Sequence, residues 1–291
     1  MTNPMKQLPA DYQVHRKDFQ QCEAVIKANS QSFYAAFSKL PLQKANSIYA
    51  IYAFCRRADD LVDEHHDEQG LLQLRHELDE FQAGQTLDDP MWKALRVVMN
   101  HYQINLKYFY EMIEGQQSDV DFMAIQTQDE LENYAYYVAS TVGLMLLPIL
   151  SDNHPVNQQI AIDLGKAMQL TNILRDIGED YQNHHRVYLP QMLLKQYGIT
   201  DADFQAAKPT AALIKLWEYE AQLADNWYQE GLQLVKEIDP DSQAALLAAL
   251  YYYQAILTAV RQHHYSFLTE RNHVSAKQKL VIYRQVKRDL K

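Results

Sequence analysis

Tyr49-Ala-Ile-Tyr52-Ala-Phe-Cys-Arg56-Arg57-Ala-Asp59-Asp60-Leu-Val-Asp63 is the stretch on which the reading of this chain turns. Steps of 3, 4, 3 and 4 residues join Tyr49, Tyr52, Arg56, Asp59 and Asp63. A helix would carry all five along one stripe, aromatic at one end and ionic at the other. A second segment, Gly165-Lys-Ala-Met-Gln169-Leu-Thr-Asn172-Ile-Leu-Arg175-Asp176-Ile-Gly-Glu-Asp180, behaves in the same way. Its steps of 4, 3, 4 and 4 put Gly165, Gln169, Asn172, Asp176 and Asp180 on one face. Leu170, Ile173, Leu174 and Ile177 beside them are the residues expected to pack. A lone Asp-x-x-x-Asp is ordinarily a solvated helix face. Two of them, each late in an apolar helix with Arg on the same turn, and one extended by Asn and Gln, ask for another account. Mg2+ prefers octahedral oxygen ligands and is commonly held by one or two carboxylates plus substrate phosphates. A pair of facing carboxylate rows would therefore suit several Mg2+ ions gripping a diphosphate.

Working outward, apolar residues recur at helical spacing through 18–40, 42–64, 71–83, 91–101, 105–117, 129–150, 156–180, 211–238, 242–268 and 276–290. Pro41, Pro90, Pro155 and Pro240 stand where successive helices should begin, with Asp89 and Asp239 placed to cap two of them. Only 8 Gly occur, and no Asn-Gly or Asp-Gly pair signals a hairpin. There is no repeat period of a solenoid and no Ser/Gly/Pro-rich linker. The expectation is an all-α bundle, one domain over residues 1–291.

The composition narrows function. A net charge of −10 argues against a general nucleic-acid binder. The charge is uneven: eleven Asp/Glu against three Arg lie between Arg56 and Asp89, while the last 21 residues carry seven Lys/Arg and one acid, Asp289. Cys22 and Cys55 form no disulfide framework and no zinc spacing, which fits a reducing compartment. The N-terminus has no apolar leader core, and the most apolar stretch, Val138 to Leu150, covers 13 residues and contains Pro148, short of the ~20 that span a bilayer. We expect a cytoplasmic protein, at most peripheral to the inner face of a membrane. The pairs His65-His66, His184-His185 and His263-His264 lie outside any His-Glu-x-x-His pattern, and adjacent histidines do not share a helix face, so they read as exposed imidazoles. No phosphate-binding Gly-rich loop and no Gly-x-Gly-x-x-Gly fingerprint occurs.

Asp59-Asp60-Leu-Val-Asp63 and Asn172-Ile-Leu-Arg175-Asp176-Ile-Gly-Glu-Asp180 resemble the two signature regions of squalene/phytoene synthases. Asn29-Ser-Gln-Ser-Phe33, Tyr134 with Ala139-Ser-Thr-Val-Gly143, Arg186-Val-Tyr188-Leu-Pro190 and Tyr253 add to the resemblance, which runs from about Cys22 to Arg271 and is closest to bacterial dehydrosqualene synthases. It implies an isoprenoid-synthase-type helical bundle with a central active-site cavity. It also implies that Asp59, Asp63, Asn172, Asp176 and Asp180 hold two to three Mg2+ with bound diphosphate. By the same resemblance Arg56, Arg175 and Tyr134 join the aspartates in catalysis. Ser30, Gln31, Ser32, Phe33, Tyr52, Gln169, Arg186, Tyr188, Tyr253 and Arg271 would line the diphosphate and prenyl sites.

The reaction this implies is head-to-head condensation of two farnesyl diphosphates through presqualene diphosphate to dehydrosqualene, without NADPH, for a downstream carotenoid desaturase. Tyr49 lies ten residues before Asp59 on its stripe, about 15 Å along the axis, comparable with an extended farnesyl chain. Tyr49 and Phe37 are thus candidate tunnel walls. The rivals are phytoene synthase on geranylgeranyl diphosphate, squalene synthase, and a chain-elongating prenyltransferase or terpene cyclase. Outside enzymes stands a helical scaffold or assembly factor of the same fold, which would be free to lose the metal ligands. The basic final helix, with Lys277, Lys279, Arg284, Lys287 and Arg288 among Leu280, Val281, Ile282 and Val286, is either a docked surface helix or one that rests on an anionic membrane.

Overall fold

The structure is a computed structural model that describes residues 8–63, 67–120 and 122–290, and of Asp63 the backbone alone. Its α-helices run, in chain order, α1 (Ala10–Val14), α2 (Arg16–Asn29), α3 (Gln31–Phe37), α4 (Leu42–Asp63), α5 (Glu68–Gln82), α6 (Pro90–His101), α7 (Lys107–Val120) and α8 (Gln128–Ala135). There follow α9 (Thr141–Leu150), α10 (Gln158–His184), α11 (Gln191–Tyr197), α12 (Asp201–Phe204), α13 (Ala211–Glu237), α14 (Pro240–Gln262) and α15 (Ala276–Asp289). A π-helical stretch, Tyr136–Ser140, joins α8 to α9, and a 3-10 turn spans Ser266–Leu268. Among the described residues there is no strand, as the periodicity predicts.

Local chemistry explains most boundaries. The helix predicted over 18–40 breaks at Ser30, which leaves helical geometry (φ −140°, ψ 88°) and accepts the Phe33 amide on its hydroxyl at 3.4 Å, so α3 starts afresh. Asp89 takes the Met91 and Trp92 amides on one carboxylate oxygen at 2.9 and 3.3 Å, and Pro90 fills the first turn of α6. The helix predicted to 268 stops at Gln262, because His264 and Tyr265 take positive φ. The short α11 and α12 went unpredicted: each is too brief to show a period, although Gly198 (φ 69°) ends one and a Thr200/Asp203 capping box opens the other.

Two compact units divide the chain, and neither is continuous in sequence. The first comprises Met1–Asp121, Thr141–Asn157 and Val235–Ala249. In it α4 packs against α2, α6, α7 and α9. Phe54, fully buried, meets Trp92 and Phe109 edge-on at 5.7 and 4.9 Å. Each such ring contributes about 2–3 kcal/mol by leaving water. Both cysteines are free and buried, and burial pushes the Cys22 thiol up to about 12. At the head of α4, the buried Lys44 ammonium reaches Asp239 and Asp241, each at 2.7 Å, and the Ser242 hydroxyl at 3.0 Å. A lysine out of water is tolerable only with its charge so matched.

The second unit comprises Phe122–Ser140, Gln158–Leu234 and Leu250–Lys291. Its centre is α10, whose glycines permit two close approaches. A Cβ on Gly165 would lie 2.4 Å from Ser140 Cα, and one on Gly178 2.4 Å from the Leu268 carbonyl oxygen. Gly165 is therefore a packing residue, although spacing placed it at the head of the polar row. Trp217 donates its indole N–H to the Leu174 carbonyl at 3.0 Å, and the Tyr228 hydroxyl bonds Thr171 and the Ala167 carbonyl at 2.8 and 3.1 Å. One carboxyl in this interior is poorly matched. Glu220 is wholly buried, Gln128 donates to its Oε2 at 3.3 Å, and its Oε1 has no hydrogen-bond partner among the described residues. Burial, eased by Gln128 and reinforced by the nearby Glu132 charge, lifts its pKa from 4.5 to about 7.

Two helical runs, Gln128–Leu150 and Pro240–Gln262, are long and apolar enough to cross a membrane, whereas the sequence reading credited the first with only 13 apolar residues. Half of the first apolar window and 61% of the second are buried inside the structure, as core helices also are.

Candidate active site

In the first unit, α3 and α4 supply the predicted aromatic and ionic groups. Phe33 and Phe37 meet edge-on at 4.7 Å, Phe33 and Tyr52 lie 6.1 Å apart, and Tyr49 lies 5.9 Å from Tyr34. Phe37 and Tyr49 are buried, Phe33, Tyr52, Ser30 and Ser32 half-buried, and Gln31 exposed. One helical turn on, Arg56 forms an ion pair with Asp60 and approaches Asp59 at 3.5 Å. The nearer partner is thus Asp60, which lies off the stripe read from spacing. Asp59 is also held from α7: the buried Gln116 donates its amide to Asp59 Oδ1 at 3.1 Å. Asp63 ends α4, and its side chain lies outside what is described. A pocket of about 350 Å³ on the flank of α4 is lined by Cys22, Val25, Arg56, Arg57, Asp60 and Met91, among others.

In the second unit, α10 presents Gln169, Asn172, Asp176 and Asp180, all half-buried. Asn172 donates to Gln169 Oε1 at 3.4 Å. Arg175 grips Asp176 with two parallel hydrogen bonds, the Nε–Oδ1 contact being 2.7 Å. Arg271 closes on the same carboxylate from outside, 3.3 Å to each oxygen, and reaches Glu179 at 3.5 Å. Burial works against the Arg175 charge, but Asp176 outweighs it and raises the pKa above its ordinary value. Burial also raises Tyr253, against the pull of the neighbouring Arg175 charge. A separate cluster joins Tyr134, Arg186 and Tyr188. Tyr134 and Tyr188 stack at 5.1 Å, Phe122 meets Tyr188 edge-on at 5.1 Å, and the Arg186 guanidinium lies 5.6 Å over Phe122.

Sequence reasoning missed Gln116 and Phe122. Gln116 had a readable signal, since Gln116 and Asp119 are polar residues three apart that end an apolar helix, and both are buried. Phe122 had none. His184, His185, His263 and His264 are exposed, as expected, and His65 and His66 lie outside the described residues.

The donor chemistry bears on the metal. Asp59, Asp60, Asn172 and Asp176 offer hard oxygen atoms, and the carboxylates among them already carry cationic partners. Among the described residues no group of three or more His, Cys, Asp and Glu side chains is gathered to hold a metal. Neither unit's own residues make a closed protein cage. Each pair fits a divalent ion that brings phosphate oxygens with it.

The profile of the squalene/phytoene synthase family matches residues 26–278. The chain belongs to that family. This member of the family is 36% identical over 282 residues to a 4,4'-diapophytoene synthase of Staphylococcus haemolyticus, with 94% of the chain and 98% of that protein covered. It is 33% identical over 284 residues to the chloroplastic phytoene synthase 2 of Solanum lycopersicum, covering 94% and 91%. A crystal structure of a dehydrosqualene synthase in complex with ligand superposes with a TM-score of 0.93 at 43% identity, covering 96% of this chain and 99% of the other. The fold is the isoprenoid-synthase helical fold, and the chain is a prenyltransferase-type enzyme of isoprenoid and carotenoid biosynthesis that joins prenyl units head to head. Its family uses divalent metal with diphosphate substrates.

Proposed function

We propose that this enzyme condenses two farnesyl diphosphates in a Mg2+-dependent reaction, through presqualene diphosphate, and ends by proton loss at dehydrosqualene. The likeness to the ligand-bound dehydrosqualene synthase, 43% identical over nearly the whole of both chains, carries this reading. The family profile spans segments of both compact units, so we treat residues 1–291 as one domain whose two aspartate sets serve one reaction.

Asp59 and Asp63 on α4, with Asn172, Asp176 and Asp180 on α10, are the proposed ligands. Bound Mg2+ supplies Lewis-acid stabilisation to the departing diphosphate. The protein's own share begins with Arg56, Arg175 and Arg271. Each guanidinium pairs with a carboxylate. The same planar forks suit phosphate oxygens, so these arginines would offer their charge to the diphosphate, and Asp59 and Asp176 beside them are among the proposed metal ligands. Arg175, with its raised pKa, keeps its charge across the working pH range. Leaving-group charge then develops against cations already in place, which is where electrostatic catalysis is strongest.

Ser30, Gln31 and Ser32 at the start of α3, Gln169 on α10, and the Arg186–Tyr188 pair complete the proposed substrate contacts. Phe33, Tyr52 and Tyr253 would face the allylic cation, exclude water and stabilise it by cation–π contact. Tyr134, held by stacking on Tyr188, is assigned to catalysis beside them. Tyr49 and Phe37 would end the prenyl tunnel. Proton loss needs no hydride, so no NADPH is required. The polyene product suits a desaturase as the next enzyme, and the site of action is the cytoplasm, with at most peripheral contact at the inner face of the membrane.

The 33% identity to a phytoene synthase, close to the 36% of the diapophytoene synthase, favours a second reading with geranylgeranyl diphosphate as substrate. Purified enzyme, Mg2+ and each diphosphate, with and without NADPH, decide between them by mass spectrometry of the hydrocarbon. Dehydrosqualene from farnesyl diphosphate in both conditions is expected. A switch to squalene on adding NADPH, or a preference for the longer diphosphate, overturns the assignment.

A further inference from the structure

α15 is strongly cationic in a chain of net charge −10, with Lys277, Lys279, Arg284, Lys287 and Arg288 against one acid. Its inner side is fixed. Ile282 and Val286 are buried, Tyr251 of α14 donates its hydroxyl to Asp289 at 2.9 Å, and Gln278 donates to Gln262 at 3.4 Å. At about 100° per residue, the opposite side carries Lys277, Leu280, Val281, Arg284, Lys287 and Arg288, and all six are exposed. Leu280 and Val281 show 51% and 55% of their surface to solvent. The one acid, Asp289, is turned toward Tyr251, with Arg288 beside it at 3.2 Å. Lys277, Arg284 and Lys287 pair with no carboxylate among the described residues, and Lys287 lies 4.5 Å over the Tyr283 ring.

Two properties of this face select its partner. Paired aliphatic side chains seek a non-aqueous surface, and four cations around them seek an anionic one. A protein partner would meet this face badly, because lysine is depleted from protein interfaces. A lipid interface matches it: helices lying in the headgroup plane set aliphatic groups into the acyl boundary and ring them with Lys and Arg. We propose that the outer face of α15 docks the enzyme on an anionic bilayer. Leu280 and Val281 enter the acyl boundary, and Lys277, Arg284, Lys287 and Arg288 lie among the headgroup phosphates. The proposal stands whichever prenyl diphosphate the enzyme uses.

Co-sedimentation of the full chain with vesicles tests it. Vesicles containing phosphatidylglycerol should carry the protein down, pure phosphatidylcholine vesicles should not, and added NaCl should release it. At about 5-fold in partition per cation, Lys277→Gln with Arg284→Gln should weaken binding on the order of 30-fold. Leu280→Ser with Val281→Ser should weaken it as well while leaving the salt dependence in place. Thermal melts of both double variants show whether α15 stays docked, and Lys287→Gln with Arg288→Gln replaces either one if it melts early. Absent binding, equal binding to phosphatidylcholine, or indifference to these substitutions overturns the proposal. So does a concentration-dependent dimer in sedimentation velocity that the same variants abolish while vesicles go unbound, since the face would then belong to a second copy.

Discussion

Glu220 should make the enzyme lose stability as the pH rises from acid to neutral. Its carboxyl has no solvent contact, one oxygen without a partner among the described residues, and a pKa of about 7 in place of 4.5. Between those two values the folded chain holds a proton that the unfolded chain has released. Stability is therefore greatest below pH 4.5 as far as this group is concerned. It falls as pH rises through the window, by ~1.4 kcal/mol per pH unit, and the full cost is reached above pH 7. Over the window the cost amounts to about 3 kcal/mol. Glu220→Gln keeps the shape and removes the ionisation. Thermal or urea melts of both proteins from pH 5 to 8.5 measure the difference. The variant should nearly match the wild type at pH 5 and exceed it by about 2–3 kcal/mol at pH 8. Parallel pH profiles, with a constant gap, would refute the account and mean that water or a structural adjustment already satisfies the charged carboxylate.

Asp59→Asn and Asp176→Asn should each slow turnover by roughly 10²–10⁴-fold with the fold intact, because several kcal/mol of charge stabilisation would go; circular dichroism and initial rates check it. Gln116→Leu should raise the Mg2+ concentration needed for half-maximal rate by about 10-fold or more, as loss of a group that orients a ligand does, and an unchanged Mg2+ titration would reduce Gln116 to packing. Tyr49→Ala and Phe37→Ala should admit geranylgeranyl diphosphate and give some C40 product, whereas ordinary core rings would cost about 3–5 kcal/mol and yield nothing new. Gly178→Ala should cost about 1–3 kcal/mol in melts, because its methyl meets the Leu268 backbone. At Gly231 a methyl meets only Leu side chains at 3.1 and 3.3 Å, so Gly231→Ala should be far milder.

The helical periods and the Asp89-Pro90 cap were legible because each is a local preference written in neighbouring residues. Breaks of a long period were not: Ser30 looked like an interior helix residue until its hydroxyl was seen to cap Phe33. At the site, the sequence displayed the carboxylates and the arginines beside them, since i, i+3 and i, i+4 spacing is a covalent fact. What spacing could not show is which partner wins. Arg56 settles nearest Asp60, and Arg271 arrives on Asp176 from 95 residues away. Gln116 is of the same kind, a contact across 57 residues from another helix. Gly165 shows the converse, because membership of a polar row by angle says nothing about what presses on it.

The clasp of Lys44 on Asp239 and Asp241 sets an order of events during synthesis. The head of α4 is made early, and the residues that neutralise its ammonium are nearly 200 positions further on. At ~5–20 residues per second, the ribosome needs about 10–40 s to deliver them. Through that interval the first unit lacks its final segment, Val235–Ala249, and Lys44 has no burial that its charge would tolerate. The nascent chain must then wait with the Lys44 ammonium unmatched at the head of α4. It is in this interval that a holding chaperone would find its substrate, and a circular permutant that delivers residues 235–249 ahead of α4 would shorten the exposure.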